Sequence, residues 1–357
     1  MNNINSSLSL WDSIGLSDKE TLISGMLGWL LNPNGDHGFG NDFLNGFLGL
    51  INYPETLDSN TVVKMEEKSS KNRFDISVIR DNQRLAIVEV KTKTFGSIEQ
   101  LKRYENEADV VIRVAFDEWN FTGFTEDEKK RFNLIKFDQI AILIDGFKPK
   151  TPKYSDFLES FSSHLKTEYK FFEGIRNFYL GDATDLPINY NREAGSRFFS
   201  FLLLYWLADK LRDKKILDND KGMVKSERSG VWLNSTAKLI GEGESLYLSA
   251  FNTTIEWPCY CMAFFEIYDR NNIVGNPDEI IGSVQLRISE SKFLENIHLE
   301  FLKSKAKLEE RKYSIAKRNP RSRSYYNAFT RQLTRSEFKL KSVMEILEKD
   351  FKEFHIK

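Results

Sequence analysis

Three consecutive strand patterns between residues 61 and 91 constrain the fold of this chain more than any other segment. Val62, Val63 and Met65 mark the first, and Ser69-Ser70-Lys71-Asn72 supplies a turn. Phe74, Ile76 and Val78 alternate along the second, Asp81-Asn82 is a hairpin turn, and Leu85 to Lys91 forms the third. Ile98 to Ala108 then reads as a helix and Val110 to Phe116 as a further strand. A helix precedes the run. Ser17-Asp18-Lys19-Glu20 has the form of a capping box, and Leu22, Ile23, Met26, Leu27, Leu30 and Leu31 follow at helical spacing up to Pro33. Helix, three strands, helix, strand is the order of an α/β sandwich with a mixed sheet.

Around that core the pattern is coarser. Asn34-Gly35-Asp36-His37-Gly38-Phe39-Gly40 is a glycine-rich loop, followed by a helix that turns Phe43, Leu44, Phe47, Leu48 and Leu50 inward. Residues 117–135 are polar and acidic, Phe137 to Phe147 is a short element, and Tyr154 to Phe178 looks helical. Gly181 to Asn191 gathers Gly, Asp, Pro and Asn, and Phe198 to Leu211 is a strongly apolar helix of core type. Strand patterns recur in 231–288, among them Ser245 to Phe251 and Cys259 to Tyr268, and the chain from Ser291 onward is expected to be mostly helical. With 357 residues there is length for two domains. We expect an α/β domain over 1–150 and an α+β carboxy-terminal region with a basic helical segment over 151–357.

The third strand reads Ile87-Val88-Glu89-Val90-Lys91, so strand period puts Glu89 and Lys91 on one face and Val88 and Val90 on the other. Asp75 opens the preceding strand, and a short turn joins the two, so Asp75 and Glu89 can converge at one end of a hairpin. Two carboxylates can hold Mg²⁺ while leaving positions for water. Such an ion stabilises charge on a phosphodiester, and an amine beside it can orient water or neutralise the transition state. A Glu-x-Lys pair alone is common by chance, and a solvated strand face is its ordinary meaning.

Asp75, Glu89 and Lys91 together resemble the motif of the PD-(D/E)xK nuclease superfamily, whose core has the same element order. Gln100-Leu101-Lys102-Arg103-Tyr104 resembles the QxxxY motif of the RecB-like branch. Gln100 and Tyr104 are one helical turn apart and face the same side. The amino-terminal segment is similar to uncharacterised PD-(D/E)xK families that open with a Glu-bearing helix. Glu20, Leu30-Leu31-Asn32-Pro33, His37-Gly38-Phe39-Gly40 and Asp42-Phe43-Leu44 carry that likeness. The resemblance covers roughly residues 15–145, and it departs from the motif at Phe74, which stands in place of a Pro that is often lost in this superfamily.

The resemblance implies an Mg²⁺- or Mn²⁺-dependent nuclease, DNA favoured, that leaves a 5′-phosphate, with bacterial or phage defence as the context by analogy. Asp75 and Glu89 would be metal ligands, Lys91 would assist the water, and Gln100 and Tyr104 would flank the centre. Glu20 would reach the metal, although its capping box with Ser17 is a sufficient local reason for it. Glu66 and Glu67 are more simply a solvated strand end, and His37 more simply a stabiliser of the glycine loop. The rival readings are a non-cleaving nucleic-acid or partner-binding protein on the same fold, and an RNA-directed nuclease.

Charge leaves room for a nucleic-acid partner without demanding one. Basic and acidic residues number 51 and 52, which excludes a uniformly basic binder but not a local basic face. Thirteen basic residues between Lys303 and Lys341 oppose only three acidic ones, and Arg318, Arg321 and Arg323 lie beside Tyr325 and Tyr326. These three arginines are the candidate nucleic-acid contacts. Cys259 and Cys261 are too few for a disulfide framework and read as small buried residues. No run of about 18 apolar residues marks a membrane span, and the polar start suggests a soluble, cytoplasmic protein. Self-association into a homo-oligomer stays open.

Overall fold

The computed structural model describes residues 20–181 except 59, 70, 123–125 and 148–151, and beyond them 183, 198–199, 202–203, 205–207, 210, 229–232, 246–251, 261–267, 278–289, 309–315 and 325–346. The chain divides into two units, Met1–Glu173 and Gly174–Lys357.

In the first unit, helix α1 (Glu20–Leu31) buries Ile23, Leu27, Leu30 and Leu31 and stops ahead of Pro33, which disfavours helix in the residue before it. The glycine loop that follows is pinned by His37. The His37 Nδ1 accepts the Phe39 N–H at 3.0 Å, so its Nε2 carries the proton and donates to the Asn32 carbonyl at 3.1 Å. Its ring packs at 5.0 Å edge-on to Trp29. Helix α2 (Asp42–Gly49) turns Phe43, Leu44, Phe47 and Leu48 into the core.

Strands β1 (Thr61–Lys68), β2 (Arg73–Arg80) and β3 (Gln83–Lys91) form an antiparallel meander. Asp81 and Asn82 join the last two with φ of 52° and 63°, the left-handed pair that matches the twist of a two-residue hairpin. Strand β4 (Gly96–Ser97) leads into helix α3 (Ile98–Tyr104), which crosses over to β5 (Val110–Ala115). Strand β6 (Phe121–Thr122) pairs with β4, and after α4 (Glu126–Arg131) comes β7 (Asn133–Lys136). Helices α5 (Phe137–Gly146) and α6 (Ser155–Leu180) follow.

The main sheet has the order β1-β2-β3-β5-β7, with β3, β5 and β7 parallel. This is the mixed sheet flanked by helices expected from the sequence. Strand β3 is central and buried along Leu85–Lys91, because it has strands on both edges. Ser97 caps α3, its hydroxyl accepting the Gln100 N–H at 3.2 Å, and Ile98, Leu101 and Tyr104 pack onto Phe74, Ile87, Val111 and Phe121. α3 ends sooner than the Ile98–Ala108 span predicted, since the chain turns at Glu107, whose N–H bonds the Tyr104 carbonyl. A buried ion pair, Lys93 to Glu168 at 3.6 Å, ties the segment after β3 to α6.

The second unit holds a six-stranded antiparallel sheet. Its strands are β8 (Ser229–Trp232), β9 (Leu246–Phe251), β10 (Cys261–Ile267), β11 (Ile280–Ser289), β12 (Ser314–Ile315) and β13 (Tyr325–Thr334), in the order β12-β13-β11-β10-β9-β8. β13 corrects the expectation of a mostly helical carboxy terminus. Tyr325, Tyr326, Phe329, Thr330 and Thr334 are aromatic or β-branched, types that fit a pleated, half-buried surface, and β11 supplies a partner along the length of the strand. Helix α7 (Leu340–Glu345) follows. Among the described residues of 198–207, those in helix bury Phe198, Leu202, Leu203, Tyr205, Trp206 and Leu207, in keeping with a core role. Cys259 lies outside the described residues.

Candidate active site

The carboxyl end of β3 gathers the polar residues of the first unit. Glu89 is 2% exposed, between the apolar Val88 and Val90 of a buried central strand. A carboxylate so placed needs partners, because burying a lone charge is costly. It has three. Its Oε1 accepts from the Lys91 ammonium at 2.7 Å and from the Gln100 amide at 2.7 Å, and its Oε2 faces the Tyr104 hydroxyl at 3.2 Å. Strand period brings Lys91 onto the face of Glu89, and the helical turn brings Gln100 and Tyr104 to it together. The Gln100 amide also donates to the Tyr104 oxygen at 2.8 Å, and that hydroxyl lies 3.0 Å from the Arg73 carbonyl.

Lys91 is the hub. Its amine also donates to Glu20 Oε1 at 2.9 Å and to the Val90 carbonyl at 3.1 Å. The other oxygen of Glu20 accepts from the Thr94 hydroxyl. Both carboxylate oxygens of Glu20 are thus turned to the end of β3. Ser17, its partner in the expected capping box, lies outside the described residues. Burial alone would lower the Lys91 amine, but the negative charges of Glu89 and Glu20 outweigh it and hold the pKa above the ordinary lysine value.

Asp75 reaches the same place from β2. The β2–β3 ladder ends with Ile76 opposite Val88, and Asp75 and Glu89 come next on the neighbouring strands. There the Asp75 carboxylate takes the place of backbone pairing, accepting the Val90 N–H at 2.9 Å. Burial first, and then the Glu89 charge, raise Asp75 well above the ordinary carboxylate range. The same two causes push the Tyr104 phenol up to about 12.

Among the described residues, no three His, Cys, Asp or Glu side chains are grouped as metal ligands. The Lys91 amine takes one oxygen from Glu20 and one from Glu89, which separates them as a ligand set. Asp75 and Glu89 nevertheless fit a divalent ion. They are hard oxygen donors on adjacent strands, and the raised Asp75 registers an excess of buried negative charge that a cation relieves.

The remaining candidates fall elsewhere. Glu66 has φ of 51° and pairs with Arg73, while Glu67 meets Arg84 at 2.8 Å, so both carboxylates are spent at the strand end. Arg318, Arg321 and Arg323 lie outside the described residues. Of the surrounding basic stretch, Arg331 and Lys312 meet Glu337 at 3.3 and 3.5 Å, and buried Arg335 meets Glu279 at 2.9 Å. Sequence reasoning missed Thr94 and Asn120. The Asn120 amide donates to the carbonyls of Thr92 at 2.8 Å and Thr94 at 3.0 Å. Nothing in the local pattern marks either residue, since their partners lie 74 and 26 or more positions away.

No helix among the described residues is long and apolar enough to cross a membrane. No curated protein and no solved structure matches the chain. A family model described as the PD-(D/E)XK nuclease superfamily matches residues 8–167, which span the mixed sheet, its helices and every residue of the polar network at the end of β3. The expected order of elements, the sheet built from it and this match agree, and the amino-terminal unit of the chain belongs to the PD-(D/E)XK nuclease superfamily.

Proposed function

We propose that this chain is a divalent-metal-dependent nuclease that cuts DNA, with its centre at the carboxyl end of β3. What supports this reading is one arrangement: a buried ammonium held by two carboxylates, with a third carboxylate on the adjacent strand, inside a nuclease-superfamily unit. Asp75 and Glu89 would hold Mg²⁺ or Mn²⁺, and Glu20, on the other side of the Lys91 ammonium, would reach the ion only by giving up that contact. The bound ion supplies Lewis-acid stabilisation of the charge that builds on the phosphodiester.

The rest falls to the protein's own side chains. The raised pKa keeps Lys91 protonated, so it has no free lone pair with which to act as a base and is a dependable positive charge. It serves the reaction by neutralising developing negative charge and orienting the attacking water. Gln100 and Tyr104 fix Glu89 by donating to both its oxygens, so that it keeps one orientation as charge changes around it. A satisfied buried network of this kind is rigid, and rigidity here is preorganisation.

The test uses the full-length protein with labelled duplex DNA and structured RNA side by side, in Mn²⁺ or EDTA. Cleavage of DNA in Mn²⁺ alone is expected, with Asp75→Asn and Lys91→Ala each lowering it by at least about a hundredfold. Cleavage undiminished in both variants overturns the assignment. Cleavage of the RNA alone moves the substrate to RNA. Binding in EDTA without cutting in any metal leaves a nucleic-acid-binding protein on a nuclease fold.

A further inference from the structure

The segment between Lys91 and α3 is held far more firmly than a connecting loop requires. Asn120 is fully buried, and its side-chain amide nitrogen donates to two carbonyls of this segment, those of Thr92 and Thr94. Asn120 is itself fixed. Its side-chain oxygen accepts the Asp117 N–H at 3.0 Å, while Asp117 accepts the Trp119 N–H at 2.9 Å. One step further on, Gly96 and Ser97 pair in parallel with Phe121 and Thr122. Gly96 lies so close to the Phe121 ring that a Cβ there would come within 2.7 Å of two ring carbons and 3.5 Å of Lys91 Cε. Lys93 adds its buried pairing with Glu168.

Thr94 is exposed within this fixed backbone, and its hydroxyl donates to Glu20 Oε2. The other Glu20 oxygen holds the Lys91 amine. A chain of contact therefore runs from a rigid backbone through Thr94 and Glu20 to the ammonium. We propose that Thr94 is a positioning residue: it orients Glu20 and through it sets where the Lys91 ammonium points. The structural part stands alone, and its catalytic consequence rests on the nuclease reading above. Without the hydroxyl, Glu20 turns toward solvent and Lys91 keeps Glu89 but loses its second carboxylate. A charge that must meet a developing charge is then aimed less well, and misaim is costly in a preorganised site.

The test compares full-length wild type, Thr94→Val and Thr94→Ser. Valine keeps the shape without the donor, and serine keeps the donor. Two readouts are taken. One is the rate at which an acylating reagent labels Lys91, followed by peptide mass spectrometry, and it needs no nuclease activity. The other is kcat against KM on the DNA duplex in Mn²⁺. Thr94→Val is expected to speed Lys91 labelling by about fivefold, the weight of one net hydrogen bond. It should lower kcat by a similar factor with KM unchanged, and Thr94→Ser should restore both. Wild-type labelling and kcat in Thr94→Val overturn the proposal, as does an equal loss in Thr94→Ser. If labelling responds as expected and even the wild type fails to cut, the positioning stands and the nuclease reading falls. If the wild type cuts and labelling is unmoved by valine, the reverse holds.

Discussion

His37 shows how a single buried side chain can tie a glycine-rich loop together. It is fully buried, with both ring nitrogens bonded to backbone of its own loop. Burial lowers its pKa against weaker opposing effects from the Asn32 and Trp29 backbones. A folded value below the unfolded one, about 6.5, means that its contribution is present above that pH and lost as pH falls through the folded value. The urea midpoint should therefore fall between pH 7.5 and 5.5 more steeply in wild type than in His37→Gln, and equal slopes would remove His37 as the cause. Strand period made Glu89 and Lys91 legible as one pair and helix period Gln100 and Tyr104 as another, while the meeting of the two pairs was legible only through the family resemblance. Glu20 was ambiguous, since a capping glutamate and a site glutamate look alike until the far end of β3 is in view. Thr94 and Asn120 were illegible because their roles exist only through long-range contacts.

At the scale of elements, the strongest patterns carried through. The antiparallel run of β1 to β3, its Asp81-Asn82 turn and α1 ending before Pro33 follow from period and turn chemistry alone. The two-residue pairing of β4 with β6 is too short to leave a period, yet it fixes the entry to α3. Gly96 is its sensitive point. A Cβ at Gly96 would lie 2.7 Å from the ring of Phe121, which is buried, so the ring must shift within packed surroundings. Gly96→Ala is expected to destabilise the protein by about 1–3 kcal/mol, the usual range for overpacking, visible as a lowered denaturation midpoint. A midpoint equal to wild type would show that the ring gives way. β13 lies in a stretch dense in Lys and Arg, and that charge obscures its strand alternation.

For the whole molecule, two units differ in how far their sequences explain them. The first has a family and a polar centre, while the second has a six-stranded sheet and, among its described residues, basic side chains paired with Glu337 and Glu279. Lys339 is engaged as well, donating to the Ala183 carbonyl at 3.1 Å and lying 4.0 Å from the Phe178 ring centroid. Arg318, Arg321 and Arg323 remain the proposed nucleic-acid contacts of that unit. Replacing all three by Ala is expected to weaken duplex binding in EDTA. It should also flatten the slope of log affinity against log salt by about 2 to 3, near one per lost phosphate contact. An unchanged slope would place the DNA elsewhere.

Asp75 returns the matter to what folding would choose for itself. A carboxyl whose ionisation is opposed by burial and by a neighbouring glutamate subtracts from stability at neutral pH. An uncharged side chain of the same shape would let the strands close more comfortably. A sequence that keeps an acid there carries a standing thermodynamic handicap at the heart of its sheet. Such a handicap persists where selection weighs reactivity above ease of folding.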